Sequence, residues 1–522
     1  MAADRPRTAH PDDLPEGVSA AVETEATFEI AEGDSLPDLS SLADLGQRRE
    51  HRLRAVYFDT TDLTLIRARV TLRRREGGDD AGWHLKLPSG ADRLEVHAEP
   101  VTGPGTWRVP DALREALAGH LGQEWTDRPA SARGLVPAAV ITTRRTETDL
   151  LNAEGTAVAV LCDDVVQAEP SGRRWRELEI ELLPGTDPSL LARAVDLLAE
   201  QGVHTARMPS KLGRALQDEV RRVERGKGPR RKGPAARVVM AHAAAQLAVL
   251  TGREEEVRSD APDAVHKTRV ATRRLRSTLR TFRPLLDREV TDPLRDELRW
   301  YAGVLGGPRD AEVVRERVIA EIDAVPRQDY EGPVKRSSTA ELNRRHREAH
   351  AALVTAMDGR RYAELMDRLV EFVASPPLRS RAGRPAREVL PALVEKAERR
   401  ARCRHRAADR AEGAERMELL HETRKAAKAV RYAHEALAPA FGQDAEHRAG
   451  LWEQVTETLG QVQDLEVTLE TLRRLRSTAG RKGEPTYTYG WLVGRLTAQQ
   501  GPAVAEGEAA LAEAMQAALA RR

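Results

Sequence analysis

From residue 22 the chain alternates with a period of two. In 22–30, Val22, Thr24, Ala26, Phe28 and Ile30 share one face of an extended strand, and Glu23, Glu25, Thr27 and Glu29 share the other. A strand is predicted over 53–59, and the alternation recurs in 68–75, where Arg69, Thr71, Arg73 and Arg75 oppose Val70 and Leu72. It recurs in 83–88, with His84 and Lys86 opposite Trp83, Leu85 and Leu87, and in 93–97, with Arg93, Glu95 and His97 on one side. Further strands are predicted at 138–149, 156–164 and 175–183. The first carries Arg144 and Arg145, and alternation does not say which of the two faces inward. The last sets Glu177, Glu179 and Glu181 against Leu178, Ile180 and Leu182. Short helices are predicted at 110–122, 188–202 and about 207–223.

A basic Gly/Pro-rich run, 221–232, ends the alternating half, and beyond it the apolar period is helical. In 265–283, His266, Arg269, Arg273, Arg276, Arg280 and Arg283 recur at spacings of 3 and 4 and form one stripe. Val265, Thr268, Thr272, Leu275, Leu279 and Phe282 form a neighbouring stripe that can face a core. No acid lies between Ala264 and Leu286, so the stripe suits a polyanion. The pattern returns about 155 residues later. His266, Arg269, Arg273 and Arg276 match His421, Arg424, Lys428 and Arg431. Leu305-Gly306 with Asp310 matches Leu459-Gly460 with Asp464, and Pro234 matches Pro385. A duplication is predicted, with two bundle halves facing each other across a pseudo-twofold.

A chain of 522 residues implies two to four domains. Charged residues make up 32% but the net charge is only +1, so local clusters alone can indicate a partner. Aromatics at 4% disfavour a base-stacking protein, and no group suited to reading bases accompanies the basic stripes; nucleic acid is not an expected partner. Two distant cysteines, no apolar leader and no apolar run long enough for a bilayer suggest a reducing, cytoplasmic setting without a membrane.

The predicted strands divide into acid-rich and base-rich ones. A barrel with a polar interior accounts for this: carboxylates would hold a divalent metal, and cations a phosphate chain. Glu23-x-Glu25, Leu72-Arg73-x-Arg75, Trp83-His-Leu-Lys86, Arg93-x-Glu95, the Asp163-Asp164 pair, Glu177-Leu-Glu179 and Ser210-Lys211 resemble, in order, the motifs of the CYTH domain. That domain is the triphosphate tunnel metalloenzyme fold, and the resemblance spans about 20–220. It implies a closed antiparallel β-barrel acting on triphosphate-bearing substrates with Mg²⁺ or Mn²⁺. Family members hydrolyse inorganic triphosphate, act on thiamine triphosphate or cyclise ATP. It implies Glu23, Glu25, Asp164, Glu177 and Glu179 as metal-side acids, with Asp163 and Glu181 as near alternatives. Arg73, Arg75, Lys86, Arg93, Lys211 and one of Arg144 and Arg145 would be the catalytic phosphate clamps, with Glu25 in the catalytic set as well. One departure is Thr27, which stands where the family pattern has lysine.

The helical half resembles the CHAD domain, a conserved-histidine α-helical domain known as a binder of inorganic polyphosphate. That resemblance implies His266, Arg269, Arg273, Arg274, Arg276, His421, Arg424, Lys428 and Arg431 as polyphosphate-binding residues. The expected organisation is a disordered lead over 1–19, a CYTH-like domain over 20–220, a linker over 221–233 and a CHAD-like domain over 234–520. Its repeats would run about 234–380 and 385–520. The expected function is metal-dependent phosphoanhydride hydrolysis of inorganic triphosphate or a related triphosphate, beside a polyphosphate-binding helical domain. The alternative is a non-catalytic polyphosphate binder, directed to polyphosphate granules, whose tunnel holds a ligand without turnover.

Overall fold

The computed structural model describes residues 14–89, 92–208 and 210–519, and no side chain is described at 92, 414 or 517–519. Residues 1–13 of the expected disordered lead lie outside them. The chain divides into two compact units, 1–227 with Met366–Ser375, and 228–365 with 376–522. The protein is mixed α+β: an antiparallel sheet comes first and an all-helical region follows.

The N-terminal unit contains β1 (Ser19–Glu23), β2 (Glu25–Ile30), β3 (Asp44–Asp59), β4 (Thr71–Glu76), β5 (Gly82–Ser89), β6 (Asp92–Ala98), β7 (Val136–Leu151), β8 (Ala157–Glu169) and β9 (Arg173–Leu182). Its helices are α1 (Thr64–Arg67), α2 (Asp111–Thr126), α3 (Ser189–Glu200) and α4 (Lys211–Glu224). The strand order is β1-β6-β5-β4-β3-β7-β8-β9-β2, antiparallel throughout.

The expected closed barrel is corrected to an open sheet with β1 and β2 at its edges. The reason lies at Thr24. The segment expected as one strand divides there, and its halves pair outwards, β1 with β6 and β2 with β9. Two strands that continue one another end to end cannot form a ladder. The edges are therefore joined through the chain, not through hydrogen bonds.

The two faces of the sheet differ, as the alternation requires. On one, Phe28, Leu161, Leu178 and Ile180 pack with Leu190, Ala194 and Leu198 of α3. On the other, Tyr57, Ile141, Val166 and Trp175 pack with Leu212, Ala215 and Leu216 of α4. Trp175, Glu177, Glu179 and Glu181 are all odd positions of β9. The helix α4 therefore shares a face with the carboxylates, which lets Lys211 in its first turn reach them.

The C-terminal unit contains α5 (Ala235–Gly252), α6 (Glu254–Arg258), α7 (Ala264–Thr281), α8 (Arg288–Val304), α9 (Gly306–Asp323) and α10 (Val334–Asp358). It continues with α12 (Ala386–Ala408), α13 (Gly413–Phe441), α14 (Gln443–Arg481), α15 (Tyr487–Ala498) and α16 (Gln500–Leu519), while α11 (Arg360–Ala374) spans the division between the units. Pro234 and Pro385 cap α5 and α12 and form an isolated antiparallel bridge. Around it Ala235 N–H donates to Arg384 C=O and Ala386 N–H to Gly233 C=O, both at 2.8 Å. Helix α7 packs on α5, α8 and α13, and α13 on α12 and α14. Among the described residues one helix, α5, is long and apolar enough to cross a membrane, and half of it is buried inside the protein.

Candidate functional site

In the N-terminal unit a cavity of about 160 Å³ opens on the charged face of the sheet. Seven strands and α4 supply the side chains that matter: Glu23, Glu25, Arg73, Arg75, Lys86, Arg93, Glu95, Arg145, Glu179, Glu181 and Lys211 all line it. Arg144 does not. It is exposed on the opposite face of β7, so Arg145 is the inward member of the pair. Asp164 and Glu177 do not line the cavity either, and lie fully buried next to it.

The basic wall comes from β4, β5 and β6. Arg73 Nη1 donates to Tyr57 Oη at 3.3 Å and Arg73 Nη2 to Glu95 at 3.5 Å. Lys86 pairs with Glu23 and lies 3.8 Å from Glu95. Arg75 pairs with Asp80 from the turn that precedes β5. His84 Nδ1 lies 3.1 Å from Glu95, and its Nε2 lies 2.9 Å from the Asp80 carbonyl. Burial pushes His84 down to about 4, against the pull of Glu95, which favours the charged ring. Burial also raises Glu23, reinforced by its hydrogen bond to Glu95. Burial works against the charge on Glu95 too, but His84, Glu23, Lys86 and Arg73 hold it well below the usual carboxylate range.

On the other wall Lys211 Nζ lies 3.0 Å from Asp164, 2.7 Å from Glu177 and 2.5 Å from Glu179. Arg145 donates to both oxygens of Asp164, at 2.9 and 2.7 Å, and to Glu179 at 2.6 Å. Trp175 Nε1 donates to Glu177 at 2.6 Å. The oxygens offered by Asp164, Glu177 and Glu179 lie within 4.8 Å of one another, close enough to hold a metal ion. Three carboxylates there are met by Lys211 and Arg145, with Arg214 Nη1 at 3.9 Å from Glu177 as a third, more distant cation. Burial opposes the charge of Glu179, yet Lys211 and Arg145 keep its carboxyl well below the usual range.

Glu25 and Glu181 differ. They stand directly opposite each other in the β2–β9 ladder, and neither has a hydrogen bond or ion pair among the described residues. Like charges facing across a ladder repel. Burial and then the charge of Glu25 raise the Glu181 carboxyl. A hard divalent cation taking oxygen ligands, part protein and part phosphate, fits this pair. From the sequence Glu181 is only a near alternative, and nothing local beyond strand parity marks Glu95 or Tyr57 as site residues. Thr27 is buried opposite Glu179 and lies outside the cavity lining.

The C-terminal unit brings α7 and α13 together. Arg269 Nη1 lies 3.2 Å from Asp310. Arg424 Nε donates to the Thr456 carbonyl at 3.4 Å, and Arg424 also bonds to Gln463. A Cβ on Gly306 would lie 3.6 Å from Arg269 Nη2, and one on Gly460 would lie 3.0 Å from Arg424 Nη2. The repeated Leu-Gly motifs thus provide a bare helix surface for the repeated arginines. Lys428 is pushed down to about 7 by burial and then by Arg424, Arg273 and Arg269. His266 and His421 are lowered by burial and adjoining cations, and neither belongs to a metal-ligand group among the described residues. Arg276 remains on the stripe beside Arg273. Arg274 and Arg431 turn instead to Glu435, at 2.6 and 2.8 Å, and flank the Tyr432 ring. They brace the helices rather than extend the open row.

These two sites, a cation-and-carboxylate cavity and a paired-helix basic cluster, correspond to the two families that the chain matches. The chain is a CYTH–CHAD fusion: the CYTH domain family matches residues 21–214 and the CHAD domain family residues 241–473. It is 33% identical over 492 residues to an uncharacterized protein of Mycobacterium tuberculosis, covering 90% of this chain and 92% of that one. Over 60 residues, 11% of this chain and 25% of the relative, it is 45% identical to thiamine-triphosphatase of Homo sapiens. The crystal structure of the CHAD domain from the plant Ricinus communis aligns at 23% identity and a TM-score of 0.44, over 55% of this chain and 94% of that one.

Proposed function

We propose that the N-terminal unit is a metal-dependent phosphoanhydride hydrolase acting on inorganic triphosphate or a related triphosphate. The observation that carries this is the unpaired Glu25–Glu181 pair facing a wall of Arg73, Arg75, Lys86 and Arg93 across one cavity. Arg73 and Arg75 present planar donors suited to phosphate oxygens. Lys86 and Arg93 extend the same wall. Arg145 and Lys211 are fixed by buried acids and so meet the ligand already oriented. Glu25 and Glu181, with Glu23 and Glu179 beside them, would hold Mg²⁺ or Mn²⁺. When bound, that ion supplies charge neutralisation and an activated water. The match to thiamine-triphosphatase supports a triphosphate substrate.

For the C-terminal unit we propose binding of inorganic polyphosphate, with the cluster of Arg269, Arg273, Arg424 and Lys428 at its centre. Two pseudo-symmetric repeats, about 234–380 and 385–520, are supported by the reciprocal Pro234–Pro385 bridge and by the matched glycine–arginine contacts. The break between α4 and α5 supports domain limits near 220 and 234. A cytoplasmic setting, with polyphosphate granules as one destination, belongs to the same reading.

The test is phosphate release from triphosphate with Mg²⁺ or Mn²⁺ by the full chain and by Glu25→Gln. Loss of release in the variant is expected, and equal rates overturn the hydrolase. The second reading, a cavity that binds without turnover, is favoured by Thr27, which adds no cation to the wall. It predicts triphosphate binding by the full chain with no release under any of these conditions.

A further inference from the structure

The basic stripe of α7 continues past the α7–α13 cluster. We infer that it ends in a second anion subsite, a cavity of about 250 Å³ formed by α7, α8, α12 and α13, which takes the far phosphates of a linear phosphate chain. This rests on the polyphosphate reading of the C-terminal unit and adds to it an extent and a direction. Arg280, Arg283, Arg295, Lys396 and Arg400 line the cavity, and no acid does. Among the described residues no hydrogen bond or ion pair holds Arg280, Lys396 or Arg400. Arg283 and Arg295 share Asp292, which is outside the lining. Apart from the Thr281 hydroxyl, the uncharged lining, from Leu393 to the alanines of α12 and α13, offers no hydrogen-bonding side chain, so recognition there is chiefly by charge.

Two further observations connect this cavity to the cluster. From Arg273 to Arg280 is seven residues of one helix, about 10 Å of axis. Arg276 lies between them, lowered by burial and by the charges of Arg299, Arg273 and Arg280. Arg280 in turn is lowered by burial and by Arg400, Arg295 and Arg404. The row of cations therefore runs along one helix from cluster to cavity, and Glu422, paired with Arg404, is the acid that opposes Arg280. The other end of the paired helices is different. The residue 155 positions after Arg280 is Glu435, and it is bound by Arg274 and Arg431. Acid closes that end and open cations mark this one, so a phosphate chain that fills the cluster extends toward α12.

The experiment measures binding of long-chain polyphosphate and of triphosphate to the full chain over a range of salt. Wild type is compared with Lys396→Ala/Arg400→Ala and with Arg399→Ala/Arg406→Ala, a charge-matched control on α12 outside the cavity. The N-terminal cavity is common to all three proteins, so its contribution cancels. The expected result is a loss on the order of tenfold or more in long-chain affinity for the first variant, as two charge-assisted contacts disappear. Its salt slope should flatten by about 0.7 for each lost contact. Triphosphate binding and the control variant should match wild type. Unchanged long-chain affinity in the first variant, or an equal loss in the control, overturns the subsite. If wild type binds no long chain at all, the underlying polyphosphate reading fails instead.

Discussion

Lys428 is expected to titrate near neutral pH and to regain its proton when polyphosphate arrives. Its ammonium is pushed from the ordinary 10.5 down to about 7 by burial and by three arginines. At about 1.4 kcal/mol per pH unit, that gap corresponds to about 5 kcal/mol between the charged and neutral forms. Below pH 7 the lysine is charged in both folded and unfolded chains, and the penalty is present in full. Between about 7 and 10.5 the unfolded chain keeps a proton that the folded chain has released. Stability of the C-terminal unit therefore rises with pH through this window. A polyanion laid on the cluster reverses the sign of the local field and restores the charge, so binding takes up a proton at pH 8. The assay is ¹³C NMR of the reductively methylated protein. The chain has only ten lysines, so Lys428→Arg identifies the resonance. A midpoint near 7, moving above 9 with polyphosphate, is expected. A Lys428 signal that titrates near 10 in the free protein would refute the reasoning. So would a Lys428→Met variant whose stability tracks wild type at every pH from 6 to 10.

Other substitutions test neighbouring contacts. Gly460→Ala should displace the Arg424 guanidinium and weaken polyphosphate binding several-fold, whereas Gly306→Ala, with 3.6 Å of room, should leave binding near wild type; titration calorimetry distinguishes them. Glu435→Gln should release Arg274, while Arg431 stays on Glu453, and should strengthen polyphosphate binding at low salt, an effect that fades as salt rises. Lys211→Met leaves Asp164 and Glu179 with Arg145 alone and Glu177 with only the distant Arg214, and should destabilise the N-terminal unit by about 3–5 kcal/mol in denaturant titration at pH 7. Asp59 accepts the backbone N–H groups of Thr60, Leu65 and Ile66, so Asp59→Ala should lower the stability of that unit by about 2–3 kcal/mol.

Period-two alternation in the N-terminal half was readable because one face of each strand is buried and the other lines a charged cavity. Parity alone put Arg73, Arg75 and Lys86 on a common side, and the structure has them there. The first half of β3, residues 44–52, gave no such signal. It is polar on both faces, and burial begins only at Leu53. Arg144 and Arg145 could not be separated because the start of β7 sets the parity, and strand starts are the least marked feature of a sequence. The partnership of Lys211 with three acids is a tertiary event between α4, β8 and β9 that no local pattern encodes. The split at Thr24 was equally hidden, since threonine suits the middle of a strand as well as its end. In the helical half the matched His, Arg and Gly positions could be read from spacing. That Glu435 holds Arg274 could not, because the two lie on different helices, whereas its pairing with Arg431 one turn away is open to a sequence reading.

The division at Thr24 has a mechanical consequence. Glu23 belongs to the edge that pairs with β6 and Glu25 to the edge that pairs with β9, so one residue separates side chains anchored on opposite ends of a nine-stranded sheet. A ligand gripped by both walls of the cavity acts as a rivet across the seam that no ladder closes. Loading the cavity should then slow amide exchange most in 19–30, ahead of strands whose hydrogen bonds are already complete. The same seam is where a one-residue deletion would do most harm, because it would turn one of the two glutamates out of the cavity while leaving the other in place.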